Sequence, residues 1–186
     1  DQHTDGSIYV LTVERPEAGF SFGRVWRRSV DGDWTHVDKG DDGNWLVKPS
    51  ALAIDKQLGK VAVASERANH IAQFDIYDLD LTPSGQHVRE NTRSVMDMDY
   101  FLGYFYLGLN EVVSLGEHNF QIEIRDPVWD VTHVRDVDRV EAVALDLPPL
   151  PVSSKGYHKV YLWSTGLDTD PVDGAFKFLH RYEIRP

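Results

Sequence analysis

Apolar and polar residues alternate along this chain in short runs. Phe120, Ile122 and Ile124 interleave strictly with Gln121, Glu123 and Arg125, a pattern that predicts a strand with one face buried. Ser7–Val13, Gly23–Val30 and Trp34–Val37 are rich in β-formers and read as strands too. Asp31-Gly32 between the last two is a strong tight-turn signal. One stretch admits a helix, because Val131, Val134, Val137, Val140 and Val143 recur at every third residue; their β-branching favours strand. A six-residue phrase recurs as Ser50–Asp55, Ser94–Asp99 and Glu141–Asp146, its closing aspartates 44 and 47 residues apart. Each copy is followed by a strand-like run: Lys60–Ser65, Tyr104–Leu109 and Lys159–Ser164. A third strand follows, clearest at His70–Ile76 and Phe176–Ile184.

A period in the forties with several short strands per unit is the signature of a β-propeller blade. One small twisted sheet cannot bury both faces alone, so neighbours must stack on it. The expected fold is all-β: a β-propeller of about four blades, or part of a larger one, with a β-sandwich or jelly roll as the alternative. The whole of 1–186 is expected to form one domain, with blades near 7–48, 49–92, 93–138 and 139–186. The first unit reads as lacking its innermost strand and the last its outermost. Tyr100–Leu109 is apolar on both faces, as a middle strand between sheets should be. Pro83-Ser84-Gly85 reads as the turn before an outer strand at Gln86–Arg89, and Gly166–Gly174 as a long polar loop.

Pro49–Asp55, Gly59–Ala64 and Asn69-His70-Ile71 with Phe74-Asp75 resemble the NHL and YWTD classes of propeller repeat. His158–Trp163 with His180-Arg181-Tyr182 is similar to a hemopexin-type repeat, a family that builds four-bladed propellers of about this length. The cysteine pair that ties the first and last blades of hemopexin-type rings has no counterpart, since the chain has 0 Cys. The resemblance speaks to architecture and leaves function open.

Composition narrows the classes. The 30 Asp and Glu exceed the 19 Lys and Arg, for a net charge of −11, and a phosphate backbone would be repelled. Nucleic acid is therefore not an expected partner. Without cysteine there is no disulfide, thiolate metal site or Cys nucleophile. No run of about 18 apolar residues predicts a membrane span. The chain starts at Asp1, which suggests a processed or excised product.

Candidate chemistry is sparse. Gly19-Phe20-Ser21-Phe22-Gly23 matches the G-x-S-x-G nucleophile elbow, but that motif needs a strand–turn–helix context and a β-rich run follows here. Asp168, Asp170 and Asp173 place three carboxylates within six residues and are the preferred calcium candidate, ahead of Asp38, Asp41 and Asp42. A solvated hairpin loop explains both clusters more simply. Asp55, Asp99 and Asp146 would face a central channel or cap the turn into the next strand, and capping is the simpler role. Leu52, Met96 and Val143 should occupy equivalent, almost fully buried places, and Asp97 should be paired or near a rim. The five Trp could form a sugar-stacking platform, but most aromatic residues are expected between blades. Arg24, Arg27 and Arg28 should pair with surrounding carboxylates.

With no catalytic constellation assembled, the first expectation is a non-enzymatic binding or attachment module. It would recognise a protein or carbohydrate ligand through end loops that carry Lys155, Tyr157, Asp168 and Asp170, at an extracellular or particle surface. A self-assembling structural protein, such as a virion or cell-surface subunit, is the second. A propeller hydrolase or lyase with a channel metal is the third.

Overall fold

The computed structural model describes residues 1–17, 20–67, 71–90, 93–101, 103–114, 117–126, 128, 130–137, 140, 142–146, 160–170 and 174–184. Every regular element among them is a β-strand. The first sheet holds β1 (Ile8–Glu17), β2 (Phe20–Arg28) and β3 (Trp34–Val37). The second holds β4 (Ala51–Asp55), β5 (Lys60–Arg67), β6 (Ile71–Asp78) and β7 (Pro83–Glu90). The third holds β8 (Arg93–Phe101), β9 (Tyr104–Ser114), β10 (Glu117–Arg125) and β11 (Val131–Val137). The fourth holds β12 (Ala142–Asp146), β13 (Val160–Asp170) and β14 (Gly174–Ile184). Each sheet is an antiparallel meander in chain order.

The sheets stack in series, and strand alternation shows how. Along β4 and β5, Ile54, Val61 and Val63 turn to the first sheet, where they meet Tyr9, Val25 and Leu46. The intervening Ala51, Ala53, Ala62 and Ala64 turn the other way. With Phe74 and Ile76 of β6 they meet Met98, Tyr100, Phe105 and Leu107 of the third sheet. The third sheet's far face, with Tyr106, Ile122 and Ile124, covers Val140 and Val143. Small alanines face large aromatic rings across the second junction, a pairing of sizes that lets the two sheets interdigitate. At the third junction the space belongs to Gly108, where an added Cβ would come 2.7 Å from Val140 Cγ2.

The innermost position of the first sheet is filled only in outline. Gln2 bridges Ile8, the Asp1 α-ammonium donates to Tyr9 O (2.9 Å), and Tyr9 N–H donates to Asp1 O (2.8 Å). The Asp1 carboxylate accepts from Ile54 N–H at 3.2 Å, tying this edge to β4. β1 thus stands where β5 and β9 stand in their sheets. The fourth sheet ends at β14, with no fourth strand among the described residues.

The structure corrects several local expectations. Gly103, at φ +82°, makes a tight hairpin inside Tyr100–Leu109, which divides between β8 and β9. Pro83-Ser84-Gly85 opens β7, and the turn lies one step earlier, with Leu81 at φ +67° and Asp78 N–H donating to Thr82 O. Gly166–Gly174 is mostly paired backbone, because β13 runs to Asp170 and Asp170 opposes Gly174. The equivalence of Leu52, Met96 and Val143 fails. A bulge between Val95 and Asp97 puts Val95 and Met98 on one face and leaves Met96 37% exposed. Leu52 is only partly buried, beside the incomplete inner edge of the first sheet, while Val143 is buried as expected.

Candidate functional site

Each junction has a polar side as well as an apolar one. On β6, Asp75 opposes Val63, so it faces the first sheet, and it is fully buried. Its Oδ1 accepts from Gln73 Nε2 at 2.8 Å and from Asp41 N–H at 3.0 Å. A Cβ at Gly40 would come 2.5 Å from the same oxygen, so only glycine lets this loop settle on the carboxylate. Tyr77 Oη donates to Lys39 O at 2.8 Å. On β10, Glu123 opposes Leu107 and faces the second sheet, and Arg125 Nε and Nη2 donate to its Oε2 at 3.0 and 2.8 Å. The two third strands therefore repeat one motif, Gln73-Phe74-Asp75-Ile76-Tyr77 and Gln121-Ile122-Glu123-Ile124-Arg125, with a buried acid facing the preceding sheet.

The first sheet breaks this rule. Its third strand, β2, presents Arg24, Trp26 and Arg28 on the corresponding face. That face also carries Val10, Thr12 and Glu14 of β1 and Trp34 and His36 of β3. The packings between successive sheets run β1 to β4, β4 to β8 and β8 to β12, and none as extensive joins the first sheet to the fourth among the described residues. The face is consequently open. Trp34 is 52% exposed, Trp45 48% and Val10 38%. Trp26 stacks at 4.5 Å on His36, meets the edge of Trp34 at 6.4 Å and donates from Nε1 to Thr12 Oγ1 at 3.1 Å. Arg24 pairs with Glu14.

Beside this aromatic row lies a groove of about 340 Å³, lined by Glu14, Phe22, Gly23, Arg24, Asp38 and Trp45. Phe22 and Trp45 meet edge to face at 5.7 Å, and the Lys39 ammonium stands 5.5 Å from the centre of the Trp45 ring. Leu46 is buried toward the second sheet, so Trp45 is turned outward by alternation. An apolar floor with one ion pair and one ammonium at its rim suits a flat or apolar group carrying polar substituents.

The residues that the sequence singles out as candidates do not gather here. Asp168 and Asp170 lie in β13, their backbones opposite Phe176 and Gly174. Asp173, Lys155 and Tyr157 lie outside the described residues. Asp42 accepts from Asn44 N–H and Nδ2, and Asp41 donates its N–H to Asp75, so this loop is held by its own turn and by the second sheet. Asp55 caps its turn as expected: Oδ1 accepts from Gln57 and Leu58 N–H, and Oδ2 reaches across to Gly103 N–H at 2.7 Å. Asp99 is not its equivalent. It opposes Tyr106, two residues short of the hairpin, whereas Asp55 opposes Lys60 at the turn. Asp146 opposes Tyr161. Asp97 accepts from Val143 N–H at 2.9 Å, and burial raises its carboxyl above the usual range. Ser21 lies within β2, in a strand and not at the strand–turn–helix bend of a nucleophile elbow.

Sequence reasoning misses the aromatic face because it assigns the tryptophans to junctions. The hairpin at Asp31-Gly32 carries the signal, since its register sets Trp26 opposite His36 and Arg28 opposite Trp34, one face for all four.

Comparison with solved structures places this architecture among β-propellers. The chain is similar to the β-propeller domain of the Trilobed protease from Pyrococcus furiosus, described as having an open velcro topology: TM-score 0.53, 9% identity, 100% of this chain and 55% of that one. It is also similar to an acylaminoacyl peptidase from Pyrococcus horikoshii: TM-score 0.50, 10% identity, 94% of this chain and 31% of that one. The fold is a β-propeller arrangement, and the four sheets span about half the first matched chain and a third of the second. No protein-family description matches the sequence, and no curated protein does.

Proposed function

We propose that this chain is a non-enzymatic binding module whose recognition surface is the outward face of its first sheet. The observation that carries this reading is the open row of Trp26, Trp34 and Trp45, beside the Phe22 groove, in a fold whose other described junctions bury their rings. Exposed aromatics rimmed by charge are the usual composition of a protein-binding patch. Probing a panel of immobilised proteins and glycans with wild type, Trp45→Ala and Trp34→Ala tests it. The reading expects partner binding that weakens about tenfold or more in the variants while circular dichroism stays unchanged. Binding that both variants retain in full would refute it.

A second reading, blades of a hydrolase, draws support from the two matched proteins, both peptidases by name. Turnover of acyl-peptide substrates by the purified chain would favour it over the first.

A further inference from the structure

We propose that the groove between Phe22 and Trp45 takes a neutral sugar, a pyranose ring packed against Trp45 with its hydroxyls on the polar groups of the rim. This names the class of ligand for the binding module proposed above and rests on that reading.

The walls of the groove are held in place by the fold. One wall comes from β1 and β2, with Glu14, Phe22 and Arg24, and the other from the hairpin between β3 and β4, with Asp38 and Trp45. Gly23 N–H donates to Leu46 O at 2.8 Å and Lys48 N–H to Ser21 O at 2.9 Å, so the hairpin's return is bonded to β2 on either side of Phe22. The hairpin's tip is fixed from the second sheet, where Asp75 accepts from Asp41 N–H at 3.0 Å. A Cβ at Gly23 would come 2.0 Å from Pro49 Cγ, so β2 and the chain beyond the hairpin meet this closely only at a glycine. Walls fixed in this way lose little freedom on binding, which favours a small ligand with few contacts. At about 340 Å³ the groove stands at the low end of the range for small-molecule sites.

Charge decides the class of ligand. The groove and its rim hold two acids, Glu14 and Asp38, and two bases, Arg24 and Lys39. Arg24 is already paired with Glu14, and the Lys39 ammonium stands 5.5 Å from the centre of the Trp45 ring. An anion would meet two carboxylates beside a guanidinium that is engaged. A cation drawn to the Trp45 ring would meet Lys39 there. A hydroxyl suffers neither penalty, because it donates to a carboxylate and accepts from an N–H. The polar groups stand on both walls, Glu14 with Arg24 on the sheet and Asp38 with Lys39 on the hairpin. They suit a ligand hydroxylated around its perimeter. Its faces should be apolar, because Phe22 and Trp45 offer rings edge to face at 5.7 Å. A pyranose divides in this way, with C–H groups on its faces and hydroxyls at its edge.

Titration of the full chain with neutral oligosaccharides of glucose, galactose, mannose and N-acetylglucosamine, up to about 10 mM, tests the inference, millimolar strength being usual for so small a ligand. Tryptophan fluorescence and the indole N–H signal of Trp45 report binding, and matched uronic-acid and amino-sugar oligosaccharides form the charged arms. The expected result is saturable binding of at least one neutral series, with its charged counterparts weaker by about fivefold or more. Trp45→Ala should lower that affinity about tenfold or more with unchanged circular dichroism, and Trp45→Tyr should keep most of it. Glu14→Gln and Asp38→Asn should each weaken it by roughly threefold to tenfold. Sugar binding that Trp45→Ala leaves intact, or tighter binding of either charged series, would overturn the inference. Binding of an immobilised protein, lost in Trp45→Ala, with no sugar bound would overturn it and leave the module reading standing. No binding of sugar or protein would overturn both.

Discussion

The second sheet and the first are built from the same alternating strands and end in opposite situations. The second is covered on both faces: Ala62, Ala64, Phe74 and Ile76 against the third sheet, Val61, Val63 and Tyr77 against the first. The first is covered, among the described residues, on one face only, through Tyr9, Val25 and Leu46. Where the second sheet answers its neighbour with a buried carboxylate, Asp75, the first shows arginines and half-exposed tryptophans. A propeller sheet is stable by virtue of its neighbours, so the contrast marks which face holds the fold and which face the described residues leave uncovered.

If that contrast is real, truncation should be costly on one side and mild on the other. Phe74, 1% exposed and 5.7 Å from Phe105, sits in the middle of a covered junction. Phe74→Ala should lower stability by about 3–5 kcal/mol in urea unfolding, the range for a large ring removed from a core. A loss below about 1 kcal/mol would break the comparison.

Next in size is the staple between the second and third sheets. Asp55 is fully buried and accepts from three backbone N–H groups, one of them across the junction at Gly103. Asp55→Ala leaves those donors without their acceptor and should cost about 2–3 kcal/mol. Native-state hydrogen exchange at Gln57, Leu58 and Gly103 would show whether the loss is local to the two turns.

Smaller still is the effect at Asp97, in the junction with the fourth sheet. Burial raises its carboxyl, so the folded state holds the proton more tightly than the unfolded chain does. Its contribution is complete below the ordinary carboxylate range and is lost as pH rises through the raised value. Asp97→Asn keeps an oxygen for Val143 N–H and cannot ionise. The variant should therefore gain on wild type between acid and neutral pH, read as the difference of two unfolding curves at each pH. A gain that grows toward acid would contradict the burial argument.

On the open side, Trp34→Ala should change monomer stability by less than about 1 kcal/mol, since it removes a half-exposed ring and one edge contact.

The strands and their grouping were legible in the sequence because period-two alternation reports a half-buried strand directly, as at Phe120–Ile124. Alternation could not report which neighbour covers a face. Trp26 and Val25 are adjacent and point to opposite sides, and only the packing of Val25 on the second sheet tells that Trp26 lies outside. The repeated phrase misled on register for a local reason: the bulge at Met96 adds one residue, so Met98 still faces the preceding sheet as Ile54 does, while Val95 takes the opposite face from Ala51 and Met96 is left part-exposed. The better repeat was the third-strand motif around Asp75 and Glu123. It carries a buried acid that no strand pattern predicts, because an acid at an alternating position reads as solvent-facing until a neighbouring loop is seen to cover it.

Hydroxyl-radical footprinting tests the central claim most directly, because it reads a covered face and an open face in one sample. The account predicts Phe74 protected, with Trp34 and Trp45 modified readily. Trp34 and Trp45 protected to the same degree as Phe74 would contradict it.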